Sequence, residues 1–357
     1  LVVASDSFKG SLSSIEIGEL IKRVVRDNEL PFDVHSIPIS DGGEGFLESL
    51  DSLGFETRFF ETVDLDNRIM MAPVLASDDF YVIEMASVCG LNLNNRELDP
   101  WRASTYGLGL LVRKCVEDGA HKIVMGVGGT GTNEAGIGFL RALDFKFLDE
   151  NDKEIKLNLS GIKEISGIVV GERLEVEIEI ATDVKNPLLG ENGATYVYGL
   201  QKGIPQDKLE EVDDSFAHYA NLLNNGNEFV LGCGAAGGLP YSVLSFFESR
   251  VVSGIDFVLN VNDFDELLED CDLVITGEGF ADGQSLAGKA ISQVIERCRK
   301  QNVPVVCICG DYDEDVLEFD VPFYRLREDG LSVRESMARA DELYEKVVLE
   351  VLKKECL

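Results

Sequence analysis

The chain alternates between short apolar runs, which are typical of buried strands, and longer stretches in which apolar residues recur at helical spacing. Five apolar runs predict buried strands, at residues 1–4, 34–39, 123–125, 273–275 and 303–308. Strands that are apolar on both faces and are followed by helices indicate parallel sheets covered by helices. The pattern therefore predicts an α/β fold.

Between residues 55 and 86 the helical spacing disappears. Alternating apolar and polar positions at 57–60, 70–75 and 80–85 predict a meander of strands without intervening helices. A chain of 357 residues favours two domains, and this change of pattern predicts a domain boundary. Further on, residues 196–198 also predict a strand.

Polar, glycine-rich loops follow the predicted strands. The segment SDSFKGS, residues 5–11, joins a strand to a helix whose start has the capping-box residues Ser13 and Glu16. Free N–H groups at a helix start favour an anion, and Lys9 adds a positive charge. We interpret Lys9 as a ligand contact, although an incidental surface lysine would give the same pattern.

Two further loops carry carboxylates. SDGGEG, residues 40–45, contains Asp41, and DLVITGEGFADGQSLAGK, residues 272–289, contains Glu278 and Asp282. An ordinary surface turn is the alternative interpretation of each loop, but Glu278, Asp282 and Lys289 offer more chemistry than a turn requires. The end of the second segment fits G-x-x-x-x-G-K, but Ala290 stands where a P-loop needs Ser or Thr. We therefore exclude a true P-loop and keep Lys289 as a phosphate contact.

A fourth loop, GVGGTGTNEAG, follows the strand at 123–125. Its Gly126, Gly128 and Gly131 match G-x-G-x-x-G, which by itself is a weak sign of dinucleotide binding. The acidic strand end expected about 20 residues later is replaced by a charged turn. Asn133 and Glu134 suit phosphates and a metal better than a nicotinamide, so a dehydrogenase is the minor alternative.

Composition narrows the function classes. A net charge of −33 argues against nucleic-acid and acidic-membrane partners. The longest apolar run falls short of the roughly 20 residues of a membrane helix, and we find no signal peptide pattern.

The eight cysteines contain no CxxC pair, which favours the reducing cytoplasm. None of the three histidines lies in a glycine-rich loop, so proton transfer would fall to carboxylates.

Seven segments together resemble one family. SDSFKGSLSS, SDGGEG, GVGGTGTNEAGIGFL, ATDVKNPLLGENGA, YGLQKG, GCGAAGGL and DLVITGEGFADGQSLAGK occur in the order seen in the bacterial glycerate kinase type 1 family. The resemblance extends from the first residues to about Gly310. It departs from the family pattern at Glu134, where the family has Asp, at Phe46, where it often has Thr, and at Ala290.

The resemblance implies a phosphotransferase with an alcohol group as acceptor, which uses ATP and Mg²⁺ to convert D-glycerate to 2-phosphoglycerate. It also implies a doubly wound, flavodoxin-like or Rossmann-like parallel-sheet domain of residues 1–60 and 265–357. A second, mixed α/β domain of residues 61–264 would be inserted, with the active site in the cleft between them. Alternatives are phosphorylation of the 3-hydroxyl or of another small hydroxy acid, an NAD-dependent dehydrogenase, and a non-catalytic anion-binding protein. A homodimer is left open.

On this basis we assign candidate roles to the loop residues. Asp183, which ends a predicted strand before an Asn–Pro turn, is the first candidate for general base, and Asp41 is the second, with Lys9 as a further catalytic candidate. The expected substrate contacts are Ser7, Lys9, Ser11, Asp41 and Arg102. The expected nucleotide and phosphate contacts are Gly128, Gly129, Thr130, Asn133 and Lys289. The expected metal ligands are Asp183, Glu278 and Asp282.

Overall fold

The computed structural model describes residues 1–93, 98–156, 158–283, 290–328 and 330–355. The chain divides into two compact units. The first unit comprises Leu1–Asp41, Glu48–Leu53 and Ile255–Leu357, and the second comprises Gly42–Leu47 and Gly54–Gly254. Within the described ranges no helix is both long and apolar enough to span a bilayer.

The described residues form strands, α-helices and short 3-10 helices. The strands are β1 (Val2–Val3), β2 (His35–Ser36), β3 (Glu56–Val63), β4 (Ile69–Ser77), β5 (Phe80–Glu84), β6 (Lys122–Gly126), β7 (Lys146–Leu148), β8 (Gly167–Val169), β9 (Glu177–Ala181), β10 (Ser249–Val252), β11 (Val274–Thr276), β12 (Phe280–Ala281), β13 (Val305–Cys309), β14 (Asp311–Tyr312) and β15 (Phe323–Arg325). The α-helices are α1 (Ser14–Asp27), α2 (Ala86–Cys89), α3 (Tyr106–Glu117), α4 (Ile137–Ala142), α5 (Ala194–Tyr198), α6 (Leu209–Leu223), α7 (Leu239–Phe246), α8 (Gly254–Val261), α9 (Phe264–Leu267), α10 (Ala290–Gln301), α11 (Val333–Ala338) and α12 (Ala340–Glu355). The 3-10 helices are Glu48–Leu53, Leu159–Glu164, Leu200–Lys202, Gln206–Lys208, Asn227–Phe229, Ala235–Gly238 and Glu314–Phe319.

The first unit is built on a five-stranded sheet in the order β15-β13-β11-β1-β2. Every neighbouring pair in it is parallel. Helices α1 and α12 cover one face, where Ile17, Ile275, Ile308 and Tyr344 join one apolar cluster. The predicted parallel strands are confirmed, although the run at 34–39 contributes only the two residues of β2.

The second unit contains a six-stranded sheet in the order β10-β9-β6-β5-β4-β3. Strands β10, β9, β6 and β5 are parallel, whereas β4 and β3 are antiparallel to their neighbours. The meander predicted from the alternation between residues 55 and 86 is therefore confirmed. Helix α3 packs on the same core as the buried Ile123 and Ile178 of the sheet. The chain thus has a mixed α/β fold with parallel sheets.

The strand predicted at residues 196–198 is wrong, because these residues belong to helix α5. Aromatic and β-branched residues favour strands only weakly without a neighbouring strand. In α5, Val197 N–H donates to the Gly193 carbonyl and Gly199 N–H to the Thr195 carbonyl, both at helical spacing. Ala194 and Thr195 are fully buried in the core of the second unit. Tertiary packing therefore overrides the local preference.

Replacing Ile308 by Ala should destabilise the first unit, because Ile308 is fully buried in β13. A large-to-small change in a core that cannot collapse costs roughly 2–5 kcal/mol. The matched control is Ile15→Ala in α1, where the side chain is 39% exposed; its cost should stay below about 1 kcal/mol. Urea unfolding followed by circular dichroism measures both, and equal costs would contradict the assigned core.

Candidate active site

Polar residues of the second unit follow the carboxyl ends of its parallel strands. The loop 127–136 follows β6, Thr182 and Asp183 follow β9, and Ser253 follows β10. Because neighbouring parallel strands end at the same edge of a sheet, these residues share the edge at which α/β proteins bind ligands. The first two of these positions were expected from the sequence.

Two glycine-rich loops are in close contact within the second unit. Gly128 N–H donates to the Gly42 carbonyl at 2.9 Å. A Cβ atom added to Gly128 would lie 2.6 Å from the Gly43 Cα, and one added to Gly126 would lie 2.5 Å from the Phe46 ring. These distances are shorter than any side chain tolerates. The SDGGEG and GVGG motifs therefore need glycine because each loop occupies the space that a side chain would fill.

The loop after β6 is held at several points along its backbone. Gly131 N–H donates to the Cys89 carbonyl at 2.8 Å, and Leu91 N–H donates to the Gly129 carbonyl at 2.9 Å. Beyond them, Ala135 N–H donates to the Gly237 carbonyl at 2.9 Å. The loop is thus pinned to segments that are distant in sequence.

Between these attachment points lies a set of unused donors. In the part of the chain that the structure describes, no hydrogen bond is made by the backbone N–H groups of Gly129, Thr130, Thr132, Asn133 and Glu134. We call these five groups the N–H row. Exposed backbone donors without a protein acceptor are a common means by which a loop binds an anion. In the N–H row Gly129 is exposed, whereas Thr132 and Asn133 are fully buried, so a ligand can reach only the start of the row.

Glu134 has a structural position. Its Oε1 accepts hydrogen bonds from Thr105 N–H and Oγ1, both at 2.6 Å, from Gly138 N–H at 3.1 Å and from Ser104 Oγ at 3.4 Å. These donors lie at the starts of α3 and α4, where carboxylates are favourable. Burial raises the pKa of Glu134 to about 7, and the hydrogen bonds oppose that rise. The carboxyl group joins two helix starts, a role that was not predicted from the sequence.

Asp183 is half-buried at the end of β9. Its Oδ1 accepts a hydrogen bond from Ser253 Oγ at 2.6 Å. Thr182 N–H donates to the Val252 carbonyl at 2.9 Å, which fixes the backbone just before Asp183. The carboxylate is therefore held by groups at the ends of two adjacent parallel strands.

In the first unit the loop after β1 carries a residue that was not among the sequence-based candidates. Asp6 N–H donates to the Gly277 carbonyl at 2.9 Å, and Asp6 Oδ1 accepts from Ser7 N–H at 2.6 Å. Burial raises the pKa of Asp6 to about 7, and the nearby Asp41 and Glu278 raise it too, whereas Lys9 lowers it. The structure thus brings Asp41, Lys9 and Glu278 around Asp6. Its position directly after a buried strand was the signal available in the sequence.

The remaining candidates occupy varied positions. Ser11 Oγ donates to the Phe8 carbonyl at 2.9 Å, so this hydroxyl group closes the turn before α1. Arg102 is exposed in the second unit, and Asp282 is half-buried in the first. Lys289 lies outside the described residues.

The described ranges contain no preformed metal site, because no group of three or more His, Cys, Asp and Glu side chains is placed to hold an ion there. Of the three expected ligands, Asp183 belongs to the second unit, and Glu278 and Asp282 belong to the first. Their carboxylate oxygens are the donor type that Mg²⁺ prefers, and Mg²⁺ commonly takes only one or two carboxylates together with substrate phosphates.

Parallel strands that end in glycine-rich loops at one edge of a sheet are the arrangement with which α/β proteins bind their ligands. The sequence model of the glycerate kinase family matches residues 1–354. The chain belongs to the glycerate kinase family, and it is therefore a kinase, a phosphotransferase.

Individual relatives agree with this assignment. A protein from Escherichia coli K12 named glycerate 2-kinase is 36% identical over 330 aligned positions, which cover 88% of this chain and 86% of the relative. A glycerate kinase from Halalkalibacterium halodurans is 34% identical over 367 aligned positions, covering 98% and 97%. The crystal structure of a protein assigned as glycerate kinase 2 from Salmonella typhimurium LT2 has a TM-score of 0.78 and 27% identity, covering 100% of this chain and 99% of that chain.

The pKa of Glu134 leads to a pH prediction. The folded value of about 7 lies above the ordinary value of 4.5, so the native state binds more protons between these limits. The stability contributed by Glu134 should be complete below about pH 4.5 and be lost as the pH rises through about 7. As the pH rises over this range, the unfolding free energy of the unmodified protein should therefore fall relative to that of Glu134→Gln.

Urea unfolding at half-unit pH intervals measures this difference. The control is Glu164→Gln, which alters an exposed carboxylate of the same unit. Its difference from the unmodified protein should stay constant between pH 5 and 8. A constant difference for Glu134→Gln as well would contradict the raised pKa.

Proposed function

We propose that the protein transfers the γ-phosphoryl group of ATP to the 2-hydroxyl of D-glycerate, which gives 2-phosphoglycerate and ADP. The glycine-rich loop after β6 carries this proposal, because its exposed Gly129 has a backbone N–H with no acceptor in the described chain, and phosphoryl transfer depends on fixed donors that hold phosphate oxygens. The similarity to a relative named glycerate 2-kinase supports the choice of hydroxyl.

The nucleotide phosphates would bind the loop after β6. Gly129 and Thr130 contribute N–H groups that no protein acceptor occupies within the described chain. Gly128 allows the close approach of the two loops, and its own N–H is not available to a phosphate because it donates to the Gly42 carbonyl. Asn133 stays a proposed phosphate contact; it is fully buried, and its side-chain amide donates to Thr195 Oγ1 at 3.2 Å. Lys289 stays a proposed phosphate contact.

The substrate carboxylate would bind the loop before α1. Lys9 is exposed there and provides a positive charge beside the helix start. The backbone of Ser11 is fixed by its N–H bond to the Phe8 carbonyl at 2.8 Å, which holds the loop in one shape. Ser7, Asp41 and Arg102 stay proposed substrate contacts.

Magnesium would be held by carboxylates among Asp183, Glu278 and Asp282. When bound, the ion would neutralise part of the charge of the phosphates. Asp183 is also our first candidate for the base that accepts the proton of the attacking hydroxyl, with Asp41 as the second. The hydrogen bond from Ser253 orients the Asp183 carboxylate at the strand end, as a group that positions either a metal or a proton acceptor requires.

The activity is tested by coupled ADP release with ATP, Mg²⁺ and D-glycerate, L-glycerate or related small hydroxy acids. We expect ADP release that depends on D-glycerate and on Mg²⁺. Separation of the phosphorylated products distinguishes 2-phosphoglycerate from 3-phosphoglycerate. No ADP release with any acceptor would refute the proposed reaction, and 3-phosphoglycerate as the product would refute the choice of hydroxyl.

Asp183→Asn should lower turnover by roughly 10²- to 10⁴-fold, because the amide cannot accept the hydroxyl proton. The matched control is Asp214→Asn, which changes an exposed carboxylate on α6 and should leave turnover unchanged. Steady-state rates across pH 6–9 measure both variants. Near-normal turnover of Asp183→Asn with an unaltered pH profile would exclude Asp183 as the base.

A further inference from the structure

The parallel sheet of the first unit has a point at which its connections diverge. Along this sheet the strand order is β2-β1-β11-β13-β15. From β1 the chain passes to β2 on one side, whereas β11, β13 and β15 follow one another on the other side. The connections therefore diverge between β1 and β11. In open α/β sheets ligands bind at such a point, outside the carboxyl ends of the strands.

Asp6, a residue that the proposed reaction does not use, lies at this point. Its N–H donates to the Gly277 carbonyl at 2.9 Å, so the pairing of β1 with β11 continues beyond the ends of both strands. Val3 pairs with Ile275, and the same register three residues later places Asp6 beside Glu278. Asp6 thus follows one of the two strands between which the connections diverge, and it is bonded to the other.

The Asp6 carboxylate is half-buried and has one oxygen without a protein donor. Its Oδ1 accepts a hydrogen bond from Ser7 N–H at 2.6 Å, whereas its Oδ2 accepts none from the described residues. The bonds to Ser7 and Gly277 hold the residue in place. The structure therefore leaves one fixed acceptor at this edge of the sheet.

The charges around Asp6 determine which ligand group can bind it. Asp41 and Glu278 raise the pKa of Asp6 and Lys9 lowers it, so all three groups act on this carboxyl group. A carboxylate or phosphate group at Oδ2 would be repelled by Asp6 and by the two neighbouring carboxylates. A hydroxyl group is neutral, and it can donate to a charged carboxylate or accept from a protonated one. Asp6 can therefore hold a hydroxyl group in either protonation state.

The substrate of the proposed reaction offers such a group. Because D-glycerate is small, the residues that bind its hydroxyl groups must lie close to those that bind its carboxylate. Lys9, the proposed carboxylate contact, is on the same loop as Asp6 and acts on it electrostatically. The 2-hydroxyl has to face the γ-phosphoryl group during transfer. The 3-hydroxyl is thus the one that the protein alone can hold.

We propose that Asp6 forms a hydrogen bond with the 3-hydroxyl of D-glycerate and so selects this substrate over 2-hydroxy acids that lack that group. This inference rests on the proposed function, because it takes D-glycerate to be the phosphate acceptor. A site that binds a substrate hydroxyl discriminates against an analogue without it, because the polar group of the protein is left unpaired. Asp6 holds a hydroxyl that does not react, so its role differs from that of the candidate bases Asp183 and Asp41.

The test compares the binding of D-glycerate with that of D-lactate, which lacks only the 3-hydroxyl. Calorimetry at pH 8.5 measures both dissociation constants, and the kcat/KM values from ADP release give the same ratio where affinity is too low for calorimetry. The unmodified protein should prefer D-glycerate roughly 10- to 100-fold, the effect of one hydrogen bond to a charged group. In Asp6→Ala the two acids should bind within about twofold of each other, because that bond is lost.

The ratio of the two constants is a readout that a merely structural role would not change. Both acids carry the same charge, so a general effect of removing a carboxylate cancels. Asp6→Asn, which keeps the shape and an acceptor but loses the charge, should lower the ratio roughly threefold to tenfold, and it carries the test should Asp6→Ala fail to fold. The control is Asp27→Ala, which removes an exposed carboxylate of α1 that pairs with Arg26; it should leave the ratio unchanged.

The outcomes separate the two proposals. A protein that releases no ADP, yet prefers D-glycerate to D-lactate through Asp6, would refute the proposed reaction and support the role of Asp6. An active protein that uses both acids equally well, or a folded Asp6 variant that keeps the full preference, would overturn the role of Asp6 alone. A protein that neither binds D-glycerate nor releases ADP would overturn both.

Discussion

The loop after β6 is buried along much of its length and belongs to neither helix nor sheet, yet its backbone polar groups still need partners. The partners come from several distant segments. Gly42, Cys89 and Gly237 supply carbonyl oxygens, and Lys202 supplies a donor. The shape of this loop is therefore determined by distant parts of the second unit, and the exposed N–H of Gly129 is what they leave available to a ligand.

Burial also shifts the pKa of Glu134, which lies in this loop, and of Lys202, whose Nζ binds it. It raises the pKa of Glu134 to about 7 and lowers that of Lys202 to about 7. Near neutral pH both groups can therefore be neutral at little cost, although they differ in their contacts. Glu134 Oε1 is occupied by donors at the starts of α3 and α4, whereas Lys202 Nζ has a single carbonyl partner within the described residues.

Periodicity in the sequence predicted the parallel strands and the meander because both patterns report burial directly. The positions of the loops followed, since they begin where an apolar run ends. The functions of Glu134 and Lys202 could not be predicted in this way. Each depends on partners far along the chain, Thr105 for the first and Thr132 for the second. Asp6 was overlooked for a similar reason, because its environment comes from Asp41 and Glu278 rather than from its own loop.

The large negative charge of the chain makes these local arrangements more important. A protein of net charge −33 repels an anionic ligand, although salt limits that repulsion to roughly 8–10 Å. Backbone N–H groups attract phosphate oxygens at contact distance without requiring a lysine that nearby carboxylates could neutralise by pairing. Lys202 avoids such pairing because it is buried and its Nζ donates to the Thr132 carbonyl. In the proposed reaction, magnesium would reduce the charge of ATP and would act in the same direction as these N–H groups.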